Sequence, residues 1–284
     1  MTAAAPAPAY HRPARLADAL AALAAGELTV LAGGTDFFPA RVGRVVTEDL
    51  LDVTALAELR GIEARGATIT FGATTTWAEI AGAALPPAFG ALRQAARQIG
   101  AVQIQNAGTI GGNLCNASPA ADGAPPLLAL GAEVQLRSVR GARWLPLSGF
   151  ILGNRRTARA RDELLVAVRC PALSPRARSA FLKLGGRAYL VISIAMVAAV
   201  VDTDADGVIR HAGVAVGACS AVAQRLTGLE GKLVGRRASP DLAQAIAPSD
   251  LDALAPIDDV RGTAEYRRDA ALTLVRRALS EVLS

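Results

Sequence analysis

The sequence predicts an α+β protein, on three observations. Helix-period and strand-length apolar segments alternate as far as Cys170, a proline-, serine- and arginine-rich stretch at residues 171–179 breaks the pattern, and beyond it strands come first and helices last. With 284 residues, 52% of them hydrophobic, the chain can bury more than one core, and with aromatics at 4% those cores are filled by alanine, valine and leucine.

Residues 2–9 read as a flexible arm. After Pro13, the spacing of Leu16, Leu20 and Leu23 predicts an amphipathic helix that Gly26 stops. Residues 28–31 form a strand that feeds directly into Leu31-Ala32-Gly33-Gly34-Thr35-Asp36. Helix, strand, then Gly-Gly is not the strand, glycine turn, helix order of a Rossmann unit, and that fold loses ground. Residues 50–53 make another strand, and residues 62–71 alternate around Arg65-Gly66 as a hairpin. Thr76 and Glu79 have the spacing of a capping box opening a helix over 77–84. A further helix over 86–98 is closed by Gly100. Residues 109–122 show neither helical nor strand period and read as a long loop, followed by a short helix over 125–130. Strands at 133–139 and 143–147 pair across Arg140-Gly141, and a strand at 163–169 ends before Pro171. In the last part, strands at 180–184, 194–201 and 208–218 make a small sheet on which helices at 223–234, 240–247 and 266–283 pack. Asp204-Ala205-Asp206-Gly207 is a polar hairpin turn, because the remaining oxygen ligands and terminal glutamate of a calcium loop are missing.

Composition excludes several functions. The net charge of +5 comes from scattered arginines without interleaved aromatics, which argues against nucleic acid. The densest cluster, Arg137, Arg140, Arg143, Arg155, Arg156, Arg159 and Arg161, is a solvated face or a surface for a partner subunit. No apolar run reaches membrane-spanning length and no signal peptide precedes the first helix, so a cytoplasmic location is expected. Cys115, Cys170 and Cys219 stand far apart, and His11 and His211 are isolated. No metal ligand set and no catalytic residue is assigned, and an iron–sulfur cluster carried by this chain alone is not expected.

The two glycine-rich segments are the chemistry-bearing part. Glycine lets backbone approach an anion, and amides and hydroxyls donate to it without a charged side chain. Two such segments in one chain suggest a ligand with two ends. Pyrophosphate oxygens would satisfy Thr35, Thr109 and the amides around Gly33, Gly34, Gly111 and Gly112. Asp122 either accepts from ribose hydroxyls or caps the helix that follows it.

Taken together, Ala32-Gly33-Gly34-Thr35-Asp36, Thr109-Ile110-Gly111-Gly112-Asn113-Leu114 and Ala117-Ser118-Pro119-x-x-Asp122 resemble the FAD-binding subunit or domain of the molybdenum hydroxylases. The likeness continues through residues 150–157, Asp162-Glu163-Leu164-Leu165, residues 181–187, Gly217-Ala218-Cys219 and Tyr266-Arg267-Arg268, nearly the whole chain in order. It departs from the family where Gly-Tyr-Arg is replaced by Gly153-Asn154-Arg155.

The resemblance implies a two-subdomain FAD-binding fold of the vanillyl-alcohol-oxidase type, with subdomains at 1–57 and 58–172. A C-terminal domain at 178–284 with a three-stranded antiparallel sheet and helices follows. It implies that Leu31, Ala32, Gly33, Gly34, Thr35 and Asp36, with Gly108, Thr109, Gly111, Gly112 and Asn113, hold the pyrophosphate and ribityl of non-covalent FAD. Ser118 and Asp122 would lie on the ribose side and Lys183 near the flavin. Electrons would arrive from a [2Fe–2S] cluster on a small partner subunit, supplied by a molybdopterin site on a large one, and leave to NAD, oxygen or a quinone. The expected assembly is a dimer of heterotrimers. Residues 153–157 and 162–164 look most like xanthine dehydrogenases acting on purines or N-heterocycles. A carbon monoxide dehydrogenase-like or aldehyde-oxidising complex is the near alternative. A self-contained flavoprotein oxidase and a redox-inactive nucleotide-binding module are the rivals from other classes.

Overall fold

The computed structural model describes residues 7–284. The arm expected at residues 2–9 therefore falls largely outside the described residues. At its end Ala9 N donates to Asp49 Oδ1 at 2.6 Å, and the strand β1 (Tyr10–His11) begins. Helix α1 (Leu16–Ala25) follows, then β2 (Thr29–Leu31) and β3 (Leu50–Asp52). The three strands form a parallel sheet in the order β1-β3-β2. The apolar spacing of α1 buries Leu16, Ala19, Leu20 and Leu23 against Leu51, Val53, Leu56 and Leu59, with Leu164 and Val166 from later in the chain.

The middle of the chain supplies β4 (Ile62–Arg65), β5 (Thr68–Gly72), α2 (Trp77–Gly82) and α3 (Gly90–Gln98). The capping box forms as expected: Thr76 Oγ1 accepts from Glu79 N while the Glu79 carboxylate accepts from Thr76 N at 2.8 Å. Next come α4 (Val102–Ala107), α5 (Ile110–Asn116), α6 (Ala124–Ala129), β6 (Glu133–Ser138), β7 (Gly141–Pro146) and α7 (Leu147–Phe150). The hairpin β8 (Ile151–Gly153) and β9 (Arg156–Thr157) leads into β10 (Leu164–Pro171). An antiparallel sheet runs β4-β5-β10-β6-β7. A bulge between Leu165 and Ala167 lets β10 serve two cores, with Leu164 and Val166 toward α1 and Leu165, Val168 and Cys170 toward α2, α3 and α6.

The last part comprises β11 (Arg178–Leu184), β12 (Ala195–Thr203), β13 (Ile209–Gly217) and β14 (Gln224–Arg225). Helices α8 (Thr227–Leu233), α9 (Pro240–Gln244) and α10 (Ala264–Val282) follow. The sheet is antiparallel, β11-β12-β13-β14, so the expected three strands acquire a two-residue fourth at the edge. Alternation along β12 explains its unbroken apolar sequence. Met196, Ala198 and Val200 pack toward α3 and α6, whereas Ala195, Val197, Ala199 and Val201 pack toward α8, α9 and α10. The Arg267 guanidinium, 3% exposed, ties α10 to this sheet by donating to Ile194 O at 2.6 Å and Ala218 O at 3.0 Å, with Asp259 as its counter-ion. The Asp204 carboxylate accepts from Asp206 N and Val208 N, which closes the polar turn predicted there. Among the described residues no helix is long and apolar enough to cross a membrane.

Candidate functional site

The one long loop expected at residues 109–122 is mostly helix. Thr109 is the N-cap of α5, its Oγ1 accepting from Gly112 N at 3.0 Å, and Ile110 and Leu114 bury one face four residues apart. The low helix propensity of Gly111-Gly112 masked this in the sequence, and capping with burial of that face outweighs it. The consequence is chemical. Gly111 N donates to Ala73 O at 2.9 Å and Gly112 N to the cap, so the two amides expected to meet a ligand are already used.

The first glycine loop is different. From the buried end of β2 at Leu31 the chain turns through Gly34, at φ +69°, and Phe38 N closes the turn on Gly34 O at 3.1 Å. Among the described residues the amides of Gly33, Gly34, Thr35 and Asp36 have no acceptor. Phe37 and Phe38 stack edge to face, and the Arg41 guanidinium sits 3.7 Å over the Phe37 ring while paired with Glu48.

The two loops touch each other. A Cβ at Gly33 would collide with the carbonyl oxygen of Ala107, and one at Gly112 would stand 3.9 Å from Ala32 Cβ and 2.9 Å from Thr109 Oγ1. Between and beside them opens a cavity of about 570 Å³, within the range of small-molecule and cofactor sites. Leu31, Ala32, Gly33, Gly34, Thr35, Asp36, Gly108, Thr109, Gly111, Gly112 and Asn113 all line it. Asn113 Oδ1 is buried and has no hydrogen-bond partner among the described residues.

Three expected site residues lie outside this lining. Ser118 Oγ accepts from Ala120 N at 3.2 Å within its own turn. Asp122 does not cap α6, whose N-cap is Gly123 without a side-chain bond. Instead its carboxylate receives Lys183 Nζ and Ser193 Oγ, each at 2.6 Å, and Lys183 Nζ also reaches Gln98 O at 3.4 Å. The Lys183 and Asp122 side chains are 6% and 8% exposed. Burial raises the Asp122 pKa above the ordinary carboxylate range, and the Lys183 ammonium and Ser193 hydroxyl pull it back only in part. This cluster ties the segment after α5 to β11 and the start of β12. It sits just beyond Asn113, since a Cβ on Gly123 would lie 2.8 Å from Asn113 Oδ1.

The cavity also holds residues that the sequence did not single out as ligands. Arg155, Thr157 and Arg159 come from β8–β9 and the segment after it, and Ile99, Ile104 and Leu165 form apolar wall. Arg155, at φ +55°, occupies the tight turn, and its N donates at 3.3 Å to the carbonyl of Ala117, the left-handed residue that ends α5. The signal for this hairpin was the short Gly153-Asn154-Arg155 turn. Cys115 also faces the cavity, and desolvation lifts its thiol pKa to about 11, against a smaller opposing pull from Arg159.

FAD fits these features. Hydroxyl-bearing ribityl can donate to the orphaned Asn113 Oδ1, the unused amides of Gly33 to Asp36 can donate to phosphate, and the apolar wall suits an aromatic base.

The cavity lined by paired glycine segments, in a chain with a separate antiparallel C-terminal sheet, marks the class as cofactor-binding α+β proteins. The family comparisons agree: residues 4–173 match the FAD binding domain in molybdopterin dehydrogenase, and residues 180–282 match the CO dehydrogenase flavoprotein C-terminal domain. The chain is 30% identical to the carbon monoxide dehydrogenase medium chain of Hydrogenophaga pseudoflava, over 95% of each chain. It is 32% identical to the xanthine dehydrogenase FAD-binding subunit of Escherichia coli O157:H7, over 97% of this chain and 96% of that one. It superposes on a solved CO dehydrogenase from Oligotropha carboxidovorans with a TM-score of 0.90, 29% identity and 99% coverage of both chains. The chain belongs to the FAD-binding medium subunits of the molybdenum hydroxylase family.

Proposed function

We propose that this chain is the electron-transfer subunit of a multi-subunit molybdenum hydroxylase, carrying electrons from a [2Fe–2S] partner subunit through FAD to an external acceptor. The single observation behind this reading is the cavity that both glycine segments line, with Asn113 Oδ1 left for a ligand donor. Bound FAD supplies the exchange between one-electron input and two-electron output. The chain's residues bind and orient it: Gly33 to Asp36 donate amides, Thr109 offers a hydroxyl whose oxygen is fixed by Gly112 N, and Asn113 accepts. Asp122 and Lys183 tie the segment after α5 to the C-terminal sheet; Ser118 and Asp122 are assigned to the ribose side and Lys183 to the flavin side. Subdomains at 1–57 and 58–172 and a C-terminal domain at 178–284 are part of the same proposal. Among the described residues the lining contains no histidine, glutamate, lysine or tyrosine, which disfavours a self-contained oxidase with its own acid–base machinery.

The proposed context is a xanthine dehydrogenase-like cytoplasmic complex acting on purines or N-heterocycles, a dimer of heterotrimers using NAD, oxygen or a quinone as acceptor. A carbon monoxide dehydrogenase-like complex is the second reading, favoured by the 0.90 superposition on such an enzyme. Expression of the chain with its small and large partners gives, on this proposal, a red-brown complex that releases FAD on denaturation. Turnover of that complex against purines, N-heterocycles, aldehydes and carbon monoxide separates the two contexts. A colourless chain that takes up no added FAD refutes the proposal.

A further inference from the structure

We propose that Arg159, with Arg155 at the rim, supplies the ionic part of pyrophosphate recognition in this cavity; the inference rests on the FAD reading of the site. The amides of Gly111 and Gly112 are consumed inside the protein, so the α5 side of the cavity cannot neutralise two phosphate charges through them. The first loop offers only neutral donors, and its one ionised side chain, Asp36, is exposed and of the wrong sign.

Positive charge on the wall must come from arginine, and the arginines that line the cavity are Arg41, Arg155 and Arg159; several arginines here are already neutralised. Arg41 pairs with Glu48, Arg140 with Asp162, Arg143 with Glu163 and Arg161 with Glu27. Among the described residues Arg155 and Arg159 have no carboxylate partner, and both line the cavity. Arg159 is half-buried and held through one nitrogen: Nη1 donates to Glu163 O at 2.7 Å, Arg161 O at 3.3 Å and Ala160 O at 3.4 Å. Its Nε and Nη2 have no protein acceptor among the described residues. A guanidinium anchored in this way has lost much of its rotamer freedom before the ligand arrives, and its remaining donors can take two oxygens of one phosphate. The Arg155 amide pins the hairpin to the end of α5, so the arginine wall and the glycine helix form one unit.

The test is titration of the full-length apoprotein with FAD, followed by quenching of flavin fluorescence at about 0.01 M and about 1 M salt, where the Debye length falls from about 30 Å to about 3 Å. Arg159→Gln is expected to weaken low-salt binding about 10-fold or more, Arg155→Gln about 2-fold, and Arg159→Lys less than Arg159→Gln, in line with hydrogen bonds to charged groups. The double glutamine variant should lose most of the wild-type salt dependence. Inorganic pyrophosphate should compete with FAD in the wild type and hardly at all in the double variant. Wild-type affinity in the double variant at both salts overturns the inference while leaving FAD binding intact. Weaker binding with an unchanged salt dependence also overturns it, because that is the mark of a purely structural arginine. A wild-type chain that binds no FAD overturns the functional reading, and this inference falls with it.

Discussion

Lys183→Met isolates the Asp122 carboxylate inside the protein. Both side chains are more than nine-tenths buried and 2.6 Å apart, and only Ser193 Oγ remains to donate to Asp122 once the ammonium is gone. Removing one partner of a buried ion pair costs about 3–5 kcal/mol. At about 2.1 cal/mol/K per residue the unfolding entropy of a chain this long is about 0.6 kcal/mol/K, so the expected fall in Tm near neutral pH is about 5–8 °C. The pH dependence carries the stronger test. Burial already holds the Asp122 pKa above its unfolded value, and Lys183 works against that rise. A group with a raised folded pKa favours the folded state most below its unfolded pKa and loses that contribution as pH climbs through the folded one. Without Lys183 the folded pKa rises further, so the deficit of the variant must shrink as the carboxyl protonates. Thermal unfolding of the apoprotein, followed by far-UV circular dichroism at about pH 7.5 and about pH 5, measures both quantities. Adding Asp122→Asn to Lys183→Met should recover much of the loss at neutral pH and abolish its pH dependence. A deficit below about 1 kcal/mol, or one equal at the two pH values, would refute the account of this cluster as a buried, charged tie.

Three further outcomes follow from the same geometry. Gly33→Ala drives a Cβ into the Ala107 carbonyl, and should separate the two loops, with loss of bound flavin absorbance and about 3 kcal/mol or more of stability. Thr109→Ala removes the cap that fixes Gly112 N and should cost about 1 kcal/mol in denaturant unfolding, whereas Thr109→Ser retains the acceptor and most of the stability. Cys115, with its thiol pKa lifted to about 11, should react with a thiolate-directed reagent far more slowly at neutral pH than the unfolded chain does, and mass spectrometry of the modified peptide reads this directly.

Where a local rule decided the structure, the sequence was readable. The Thr76–Glu79 box opened α2, the apolar spacing of α1 gave its buried face, and the continuous apolar run of β12 reflected a strand packed on both sides. Failures came where long-range contacts decide. Helix α5 is held by a cap and by burial of Ile110 and Leu114, which a count of glycines cannot reveal. Strand β1 exists only because β3 offers an edge 40 residues away, as the Ala9 to Asp49 bond shows. Within the site, the first loop was legible because a Gly-Gly pair at a strand end needs a reason. The Asp122 cluster was not, since its partners lie 61 and 71 residues further on. The seven clustered arginines look alike in sequence; the positions of Asp162, Glu163 and Glu27 tell that Arg140, Arg143 and Arg161 are neutralised, and only the fold tells that Arg155 and Arg159 face the cavity.

The two glycine segments, similar in composition, therefore perform different work. In the first, glycine leaves backbone amides unspent and lets the turn approach Ala107, so on the proposed function it is the donor surface. In the second, glycine lets α5 begin against Ala73 and the Thr109 hydroxyl, so it is the rigid floor that fixes Asn113. On the proposed function a rigid floor would hold the flavin at a fixed distance from a partner's electron donor, where positional error is costly. Substitutions in the first loop should consequently change FAD affinity with little change in the stability of the apoprotein, Gly33 excepted. Substitutions around Thr109 should change both together, and that difference separates donor from floor.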